Sequence, residues 1–336
     1  MVITQTPFRM SFFGGGTDME EYFRENGGAV LSTTFDKYCY VTVRHLPRFF
    51  DYSTEVVYSK IERVTEIDEL NHPLIRNAMK LLNMYEIRLN YEADLPARSG
   101  LGTSSSFAVG MLNAFYALKG KYVEKKRIAD EAIYLERNVC GEAGGWQDQI
   151  AASFGGFNKI TFGENGYQVT PIIMRAERKQ QLNSNLLLFF TGFTRLSSEI
   201  QKTNNIVRAE KRNLLKEMHS LVGDAERILT DNHTDLDEFG RLLDHTWKLK
   251  RQTGENISTD SIDSIYEVGI KAGAIGGKLL GAGGGGFILL YAKPEYHLEI
   301  KKAMKGFLNI PFQFENEGTK VIHYTEEEYC IDEKRL

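Results

Sequence analysis

The residue types best suited to chemistry stand in three glycine-rich segments and at two isolated carboxylates. The clearest segment is LPARSGLGTSSSF, residues 95–107. A strand ending near Leu95 is expected to feed a turn at Pro96 and then the loop Gly100, Leu101, Gly102. Thr103, Ser104, Ser105 and Ser106 then open a helix. Glycines allow close backbone approach, and unpaired N–H groups at a helix start favour negative charge, so this loop suits a phosphate. A single hydroxyl would serve as N-cap, and a run of four exceeds that need. The pattern is not a Walker A loop, because GxxxxGK followed by Ser or Thr occurs nowhere in the chain.

KLLGAGGGGFILLY, residues 278–291, contains Gly281, Gly283 and Gly286 at the spacing GxGxxG. A dinucleotide fingerprint needs a strand before it and a helix after it, whereas a helix is expected before this loop and the strand FILLYA after it. Two readings stay open: a tight packing crossover, or a loop against whose backbone, at Gly283 and Gly284, a substrate lies. The remaining segment, PFRMSFFGGGTD (residues 7–18), brings Arg9, Gly15, Gly16, Thr17 and Asp18 close together in sequence.

Glu136 lies near the end of a helical stretch, and Asp148 follows twelve residues later, beyond the glycine-rich CGEAGGWQDQ. A lone carboxylate is commonly a solvated charge. Two that flank a glycine-rich bend and a tryptophan are better set for acid–base work. The seven histidines show neither HExxH nor HxxH spacing, which disfavours a histidine metal site, and the absence of GxSxG disfavours an α/β-hydrolase.

The elements that must position these residues follow from hydrophobic period. Tyr38, Tyr40 and Thr42 alternate with Val41 and Val43, and Ile87, Leu89 and Tyr91 repeat the period of two, so both stretches are predicted strands. Phe107, Met111, Phe115 and Leu118 share one helical face, and Gly120 ends that helix. A second helix is expected from Val123 to about Cys140. NLLLFFT (185–191) is a short apolar run, expected to be a buried strand. Helices are predicted on Leu214–Ile228, Leu236–Trp247 and Ile262–Gly273, then strand Phe287–Ala292, helix His297–Phe307 and strand Lys320–Tyr324. The change of character places a domain boundary within residues 171–184, dividing the chain into 1–175 and 176–336.

The chain has 336 residues, more than one ordinary core accommodates, and its 42% hydrophobic content is that of a globular protein. A net charge of −4 speaks against a nucleic-acid partner, though a local basic patch for an anionic substrate stays compatible with it. Cys39, Cys140 and Cys330 are odd in number and far apart, as expected of reduced thiols. The N-terminus lacks a signal-peptide layout and no apolar run reaches the length of a membrane helix, so no membrane partner is expected and the location is expected to be cytoplasmic.

Taken in order, the three segments and the carboxylate pair resemble the GHMP kinases, the superfamily of galactokinase, homoserine kinase, mevalonate kinase and phosphomevalonate kinase. PARSGLGTSSS is similar to the family's PxxxGLGSSA phosphate loop, and KLLGAGGGGFILLY to its C-terminal glycine motif. The resemblance implies an α+β, two-domain GHMP kinase fold: an N-terminal domain like ribosomal protein S5 domain 2 and a ferredoxin-like C-terminal domain. It implies ATP held at residues 100–106, Mg²⁺ at Ser104 and Glu136, Asp148 as catalytic base, Arg9 beside the reacting phosphate and Asp18 on sugar hydroxyls.

Within the superfamily, FRMSFFGGGTD with GGWQDQ is most similar to the kinases of D-glycero-D-manno-heptose 7-phosphate. Gly15 and Gly16 replace the Glu and His of the galactokinase pattern GRVNLIGEHTD. Fucose kinases share a glycine pair here and are the next candidates. The implied partners are ATP and a sugar phosphate, with Arg195 the candidate for the distal phosphate. A sugar- and ATP-binding sensor is the non-enzymatic alternative, and a homodimer stays open.

Overall fold

The computed structural model describes residues 1–192, 209–254 and 256–326, so Arg195 and Cys330 lie outside the described residues. The first half runs β1 (Val2–Phe13), α1 (Glu20–Asn26), β2 (Gly28–His45), β3 (Thr54–Val57), β4 (Ile61–Val64), α2 (Pro73–Leu81), β5 (Ile87–Ala93), α3 (Thr103–Leu118), α4 (Lys125–Ile133), α5 (Gln147–Phe154), β6 (Phe157–Gly163) and β7 (Gly166–Pro171). The second runs α6 (Ala176–Ser184), β8 (Leu186–Phe190), α7 (Ala209–Thr230), α8 (Asp237–Gln252), α9 (Asp260–Lys271), β9 (Gly276–Leu279), β10 (Phe287–Tyr291), α10 (His297–Ala303), β11 (Leu308–Ile310), β12 (Phe314–Glu315) and β13 (Lys320–Tyr324).

The large sheet has the order β13-β1-β2-β5-β3-β4, with β6 and β12 also on β2 and β7 on β6. The long β2 pairs with β1 over most of its length, with β6 through residues 28–33 and with β5 through residues 39–45. In its second half Cys39, Val41 and Val43 are buried while Tyr38, Tyr40 and Thr42 are only partly so, which is the predicted alternation. In its first half residues 28–35 are all buried, because other elements cover both faces there. After β11 the chain returns to this sheet: Phe314 pairs with Phe35, and Lys320 with Gln5.

The small sheet has the order β11-β8-β10-β9, all antiparallel. With helices between its first and second strands and between its third and fourth, this is the ferredoxin-like βαββαβ arrangement expected of the second half. Leu188, Leu289 and Tyr291 face a core shared with Phe8, Met10 and Phe12 of β1, while Leu187, Phe189, Ile288 and Leu290 face one closed by Ile262, Ile265 and Ile300. Burial on both faces explains why residues 186–190 read as an unbroken apolar run.

Two local differences from the predicted elements bear on the site. The helix expected to reach Cys140 leaves α geometry at Tyr134, and residues Tyr134–Val139 form a π-helical turn that carries Glu136. Strand β9, not a helix, precedes the loop 280–286, which is therefore the connection of a hairpin.

Candidate active site

A cleft of about 910 Å³ is lined from both halves of the chain. One wall is the loop after β5 and the first turn of α3. Gly102 stands at the helix start in the left-handed region (φ 73°), and no side chain caps the helix, which leaves the first-turn N–H groups to a ligand. The loop is held from behind by the hairpin loop of the second half. A methyl on Gly100 would lie 2.5 Å from the Leu280 carbonyl oxygen, one on Gly281 2.3 Å from Gly100 Cα, and one on Gly286 2.1 Å from the Ser99 carbonyl oxygen. Glycine on both sides lets the two backbones touch, so at Gly281 and Gly286 the third glycine-rich segment packs on the loop 99–100.

Ser104 Oγ donates to Glu136 Oε1 (3.0 Å) and Ser105 Oγ to Oε2 (2.7 Å), with Gln149 Nε2 also donating to Oε2. The Glu136 carboxylate, buried at the π turn, thus reaches the phosphate loop through its serines. Single π turns are common at functional positions.

The facing wall centres on Arg9. Its Nε and Nη2 donate to the two carboxylate oxygens of Asp148 at 2.7 and 2.9 Å, and its Nη1 donates to the Gly100 carbonyl oxygen at 2.7 Å. One planar guanidinium therefore fixes the carboxylate relative to the phosphate loop, a task suited to arginine's fork. Asp18 lies beside this pair, accepting from the N–H groups of Gly16 (2.9 Å) and Gln147 (3.3 Å). A methyl on Gly145 would stand 1.9 Å from Asp18 Oδ2, which is why glycine is required there. Burial, and then the charge of Asp148, push the Asp18 carboxyl above its ordinary range, against the pull of its backbone hydrogen bonds.

Two lysines complete the wall, and neither was among the residues singled out from sequence. Lys250 Nζ donates to the Gly281 carbonyl oxygen. Burial and then the Arg9 charge push its ammonium down to about 8, while Asp18 and Asp148 oppose the shift. Lys278 Nζ donates to the carbonyl oxygens of Ser11 (2.9 Å) and Phe12 (2.8 Å), and burial holds it well below its ordinary value. A signal for Lys250 was present: with Phe239, Leu243 and Trp247 it falls at i, i+4, i+8 and i+11, a cation on the buried stripe of α8.

The phosphate loop, the second-half glycine hairpin and the two-sheet architecture decide the family. A model described as GHMP kinases N terminal domain matches residues 73–156, and one described as GHMP kinases C terminal matches residues 225–309. The chain belongs to the GHMP kinases. D-glycero-alpha-D-manno-heptose 7-phosphate kinase of Campylobacter jejuni is 28% identical to it over 334 residues, covering 94% of this chain and 97% of that one. The bifunctional fucokinase/GDP-fucose pyrophosphorylase of Arabidopsis thaliana is 25% identical over 316 residues, covering 86% of this chain and 30% of that one. The crystal structure of a D-glycero-D-manno-heptose 1-phosphate kinase from Bacteroides thetaiotaomicron matches with a TM-score of 0.79 at 25% identity, covering 97% of this chain and all of that one. This GHMP kinase is an enzyme, a sugar kinase that uses ATP as phosphate donor. Among its described residues no helix is long and apolar enough to cross a membrane.

Arg9, Gly15, Gly16, Asp18, Gly100, Gly102, Thr103, Ser104, Ser105, Glu136 and Asp148 all line this same cleft of the GHMP kinase. Five other expected site residues do not contribute side chains to it. Leu101 is fully buried in the shared core, although its carbonyl oxygen accepts from Arg9 N–H (3.2 Å). Ser106 Oγ is spent on the Pro7 carbonyl oxygen (2.9 Å), and Thr17 Oγ1 on those of Gly14 and Ala29 (2.8 and 2.9 Å). Gly283 and Gly284 pack on Ile257, whose carbonyl oxygen accepts from Gly284 N–H (3.0 Å); their predecessors Gly281 and Ala282 are the cleft residues.

Proposed function

We propose that this kinase transfers the terminal phosphoryl group of ATP to the anomeric hydroxyl of D-glycero-D-manno-heptose 7-phosphate, giving the 1,7-bisphosphate. The observation that carries the reading is the bidentate Arg9–Asp148 pair, joined by the same guanidinium to Gly100 of the phosphate loop. It presents a carboxylate and a cation beside the uncapped start of α3, where ATP phosphates would lie. The acceptor oxygen bonds to the terminal phosphorus, the bond to the ADP oxygen breaks, and the acceptor proton passes to Asp148. Arg9 and Lys250 offset the charge of the phosphoryl group in flight; such reactions need positioning and neutralisation more than covalent help.

Mg²⁺ fits the donor set, because Ser104 and Glu136 already converge at 3.0 Å beside the loop, and this ion takes few protein oxygens when phosphates and water supply the rest. Bound there, it would neutralise phosphate charge. For the domains we propose the division 1–175 and 176–336, the last strands of the second part completing the sheet of the first. Use of ATP fits a cytoplasmic location.

The names of the two heptose kinases differ in the position of the phosphate, and the Arabidopsis relative favours fucose as the competing acceptor. An ADP-release screen over heptose 7-phosphate, free heptose, fucose, galactose and mannose 6-phosphate separates these readings, and ³¹P NMR of the product locates the new ester. Heptose 7-phosphate should give the highest kcat/KM. Preference for fucose or galactose would overturn the heptose assignment, and ATP binding with no turnover on any sugar would favour a sensor.

A further inference from the structure

Arg9 and Ser11 stand two residues apart on β1, and in a strand such residues share a face. Gln147 directly precedes Asp148 at the start of α5. Both Ser11 and Gln147 line the cleft, both are more than nine-tenths buried, and Ser11 Oγ and Gln147 Oε1 have no hydrogen-bond partner. Buried polar atoms are nearly always paired, and leaving one unpaired is destabilising, so two beside the same carboxylate call for a reason.

The backbone between them supplies a third observation. Gly15 does not adopt a conformation that demands glycine, unlike Gly14 and Gly16 with φ of 78° and 100°. A methyl there would make only ordinary contacts, 3.9 Å from Ser11 Oγ and 4.0 Å from Gln147 Nε2. Glycine at this position therefore preserves space, and the space is bordered by the unpaired Ser11 Oγ and by the Gln147 amide whose Oε1 is unpaired. Asp18 adjoins it through the Gln147 N–H (3.3 Å).

We infer that Ser11 and Gln147 bind hydroxyl groups of the acceptor sugar in a subsite that Gly15 keeps open, and that these three residues select a polyhydroxylated acceptor over a deoxy one. The inference rests on the proposed sugar-phosphate reaction and names its specificity residues. The chemistry is complementary: Gln147 Oε1 accepts only, and so requires a hydroxyl donor, while Ser11 Oγ donates or accepts. Neighbouring hydroxyls on one carbon chain satisfy both.

The test is a substitution cycle against sugar structure. In Ser11→Ala the KM for the accepted sugar should rise roughly three- to tenfold, as the loss of one neutral hydrogen bond predicts, with the KM for ATP unchanged. Gln147→Leu should show the same split. Because Ser11→Ala removes a buried hydroxyl that lacks a partner, its Tm should hold or rise. A deoxy sugar lacking the matched hydroxyl should be a poor substrate of the wild type, yet should lose almost nothing further in the variant. Gly15→Leu should penalise the accepted heptose more than a smaller hexose.

Additive losses from variant and deoxy sugar, an equal rise in both KM values, or a fallen Tm in Ser11→Ala would overturn the inference. If a sugar other than heptose 7-phosphate proves to be the substrate, the acceptor assignment fails and the same cycle on that sugar still decides the subsite. If no sugar is turned over, calorimetric binding of the same sugar pairs decides it.

Discussion

The wall of the cleft at residues 98–105 is shaped by a glycine loop and the uncapped start of α3, whereas the facing wall brings together Arg9, Ser11, Asp18, Gln147, Asp148 and Lys250. The first would hold an anion, as proposed, by amide groups that any sequence possesses, once glycines have bent the chain and α3 starts without a cap. The second depends on charges held out of water. Arg9, Lys250 and Lys278 outnumber Asp18 and Asp148, and burial drives both lysines towards neutrality and Asp18 towards protonation. A wall of amides tolerates changes in its side chains but not in its shape; a wall of buried charges is sensitive to both. The difference suits a kinase, in which phosphate recognition is generic and acceptor recognition is specific.

Removing the reactive group from the side-chain wall should have the largest effect. Asp148→Asn keeps the shape but removes the proposed base and half of the Arg9 pair, so kcat should fall by roughly 10²- to 10⁴-fold. ATP affinity, measured by calorimetry, should change little, because the amide wall is intact. A variant that keeps most of its kcat would take Asp148 out of the mechanism.

The converse change alters only shape. Gly100→Ala places a methyl 2.5 Å from the Leu280 carbonyl oxygen, at a position with φ of 82°. Overpacking of this kind costs about 1–3 kcal/mol, and thermal melting should show a Tm lower by several degrees. ATP affinity should fall with it, since the amides move. An unchanged Tm would mean that the two glycine loops do not press on each other.

The smallest effect sharpens the electrostatic half of the comparison. Lys250 titrates at about 8 in the folded chain against an ordinary value of 10.5, so between these limits the unfolded chain holds a proton that the folded one does not. In this window the lysine makes stability rise with pH. The same loss of its proton removes a cation from the cleft, so kcat/KM for ATP should decline above pH about 8. In Lys250→Met the stability gain between pH 8 and 10 should shrink and the alkaline decline in kcat/KM should flatten. Profiles that superimpose on the wild type would place the lysine outside both effects.

Much of the backbone wall is legible in the sequence, because its determinants are contiguous: a turn, two glycines and the first residues of a helix, all within LPARSGLGTSSSF. Even there, the direction of each side chain is not. Ser104 and Ser106 are equivalent in a sequence string, yet one hydroxyl meets Glu136 and the other meets Pro7. Gly283 and Gly284 were open to a substrate-facing or a packing reading, and in the fold they lie against Ile257, since a stripped backbone accommodates another backbone as well as a phosphate.

The sequence by itself determined the periodicities, the glycine loop ahead of α3 and the carboxylates at 18, 136 and 148, because each depends on neighbours within a few turns of chain. Only the tertiary structure decided which of these groups meet. Arg9 and Asp148 are 139 residues apart and share two hydrogen bonds; Lys278 reaches the carbonyl oxygens of Ser11 and Phe12 across more than 260. Such contacts form because the two sheets share a core through β1, and burying that common apolar surface carries the polar groups at its edge into the cleft. Ser11 and Gln147 show the limit of sequence alone: both lie within glycine-rich segments, yet neither was singled out there, and their lack of partners exists only once the chain has folded around them.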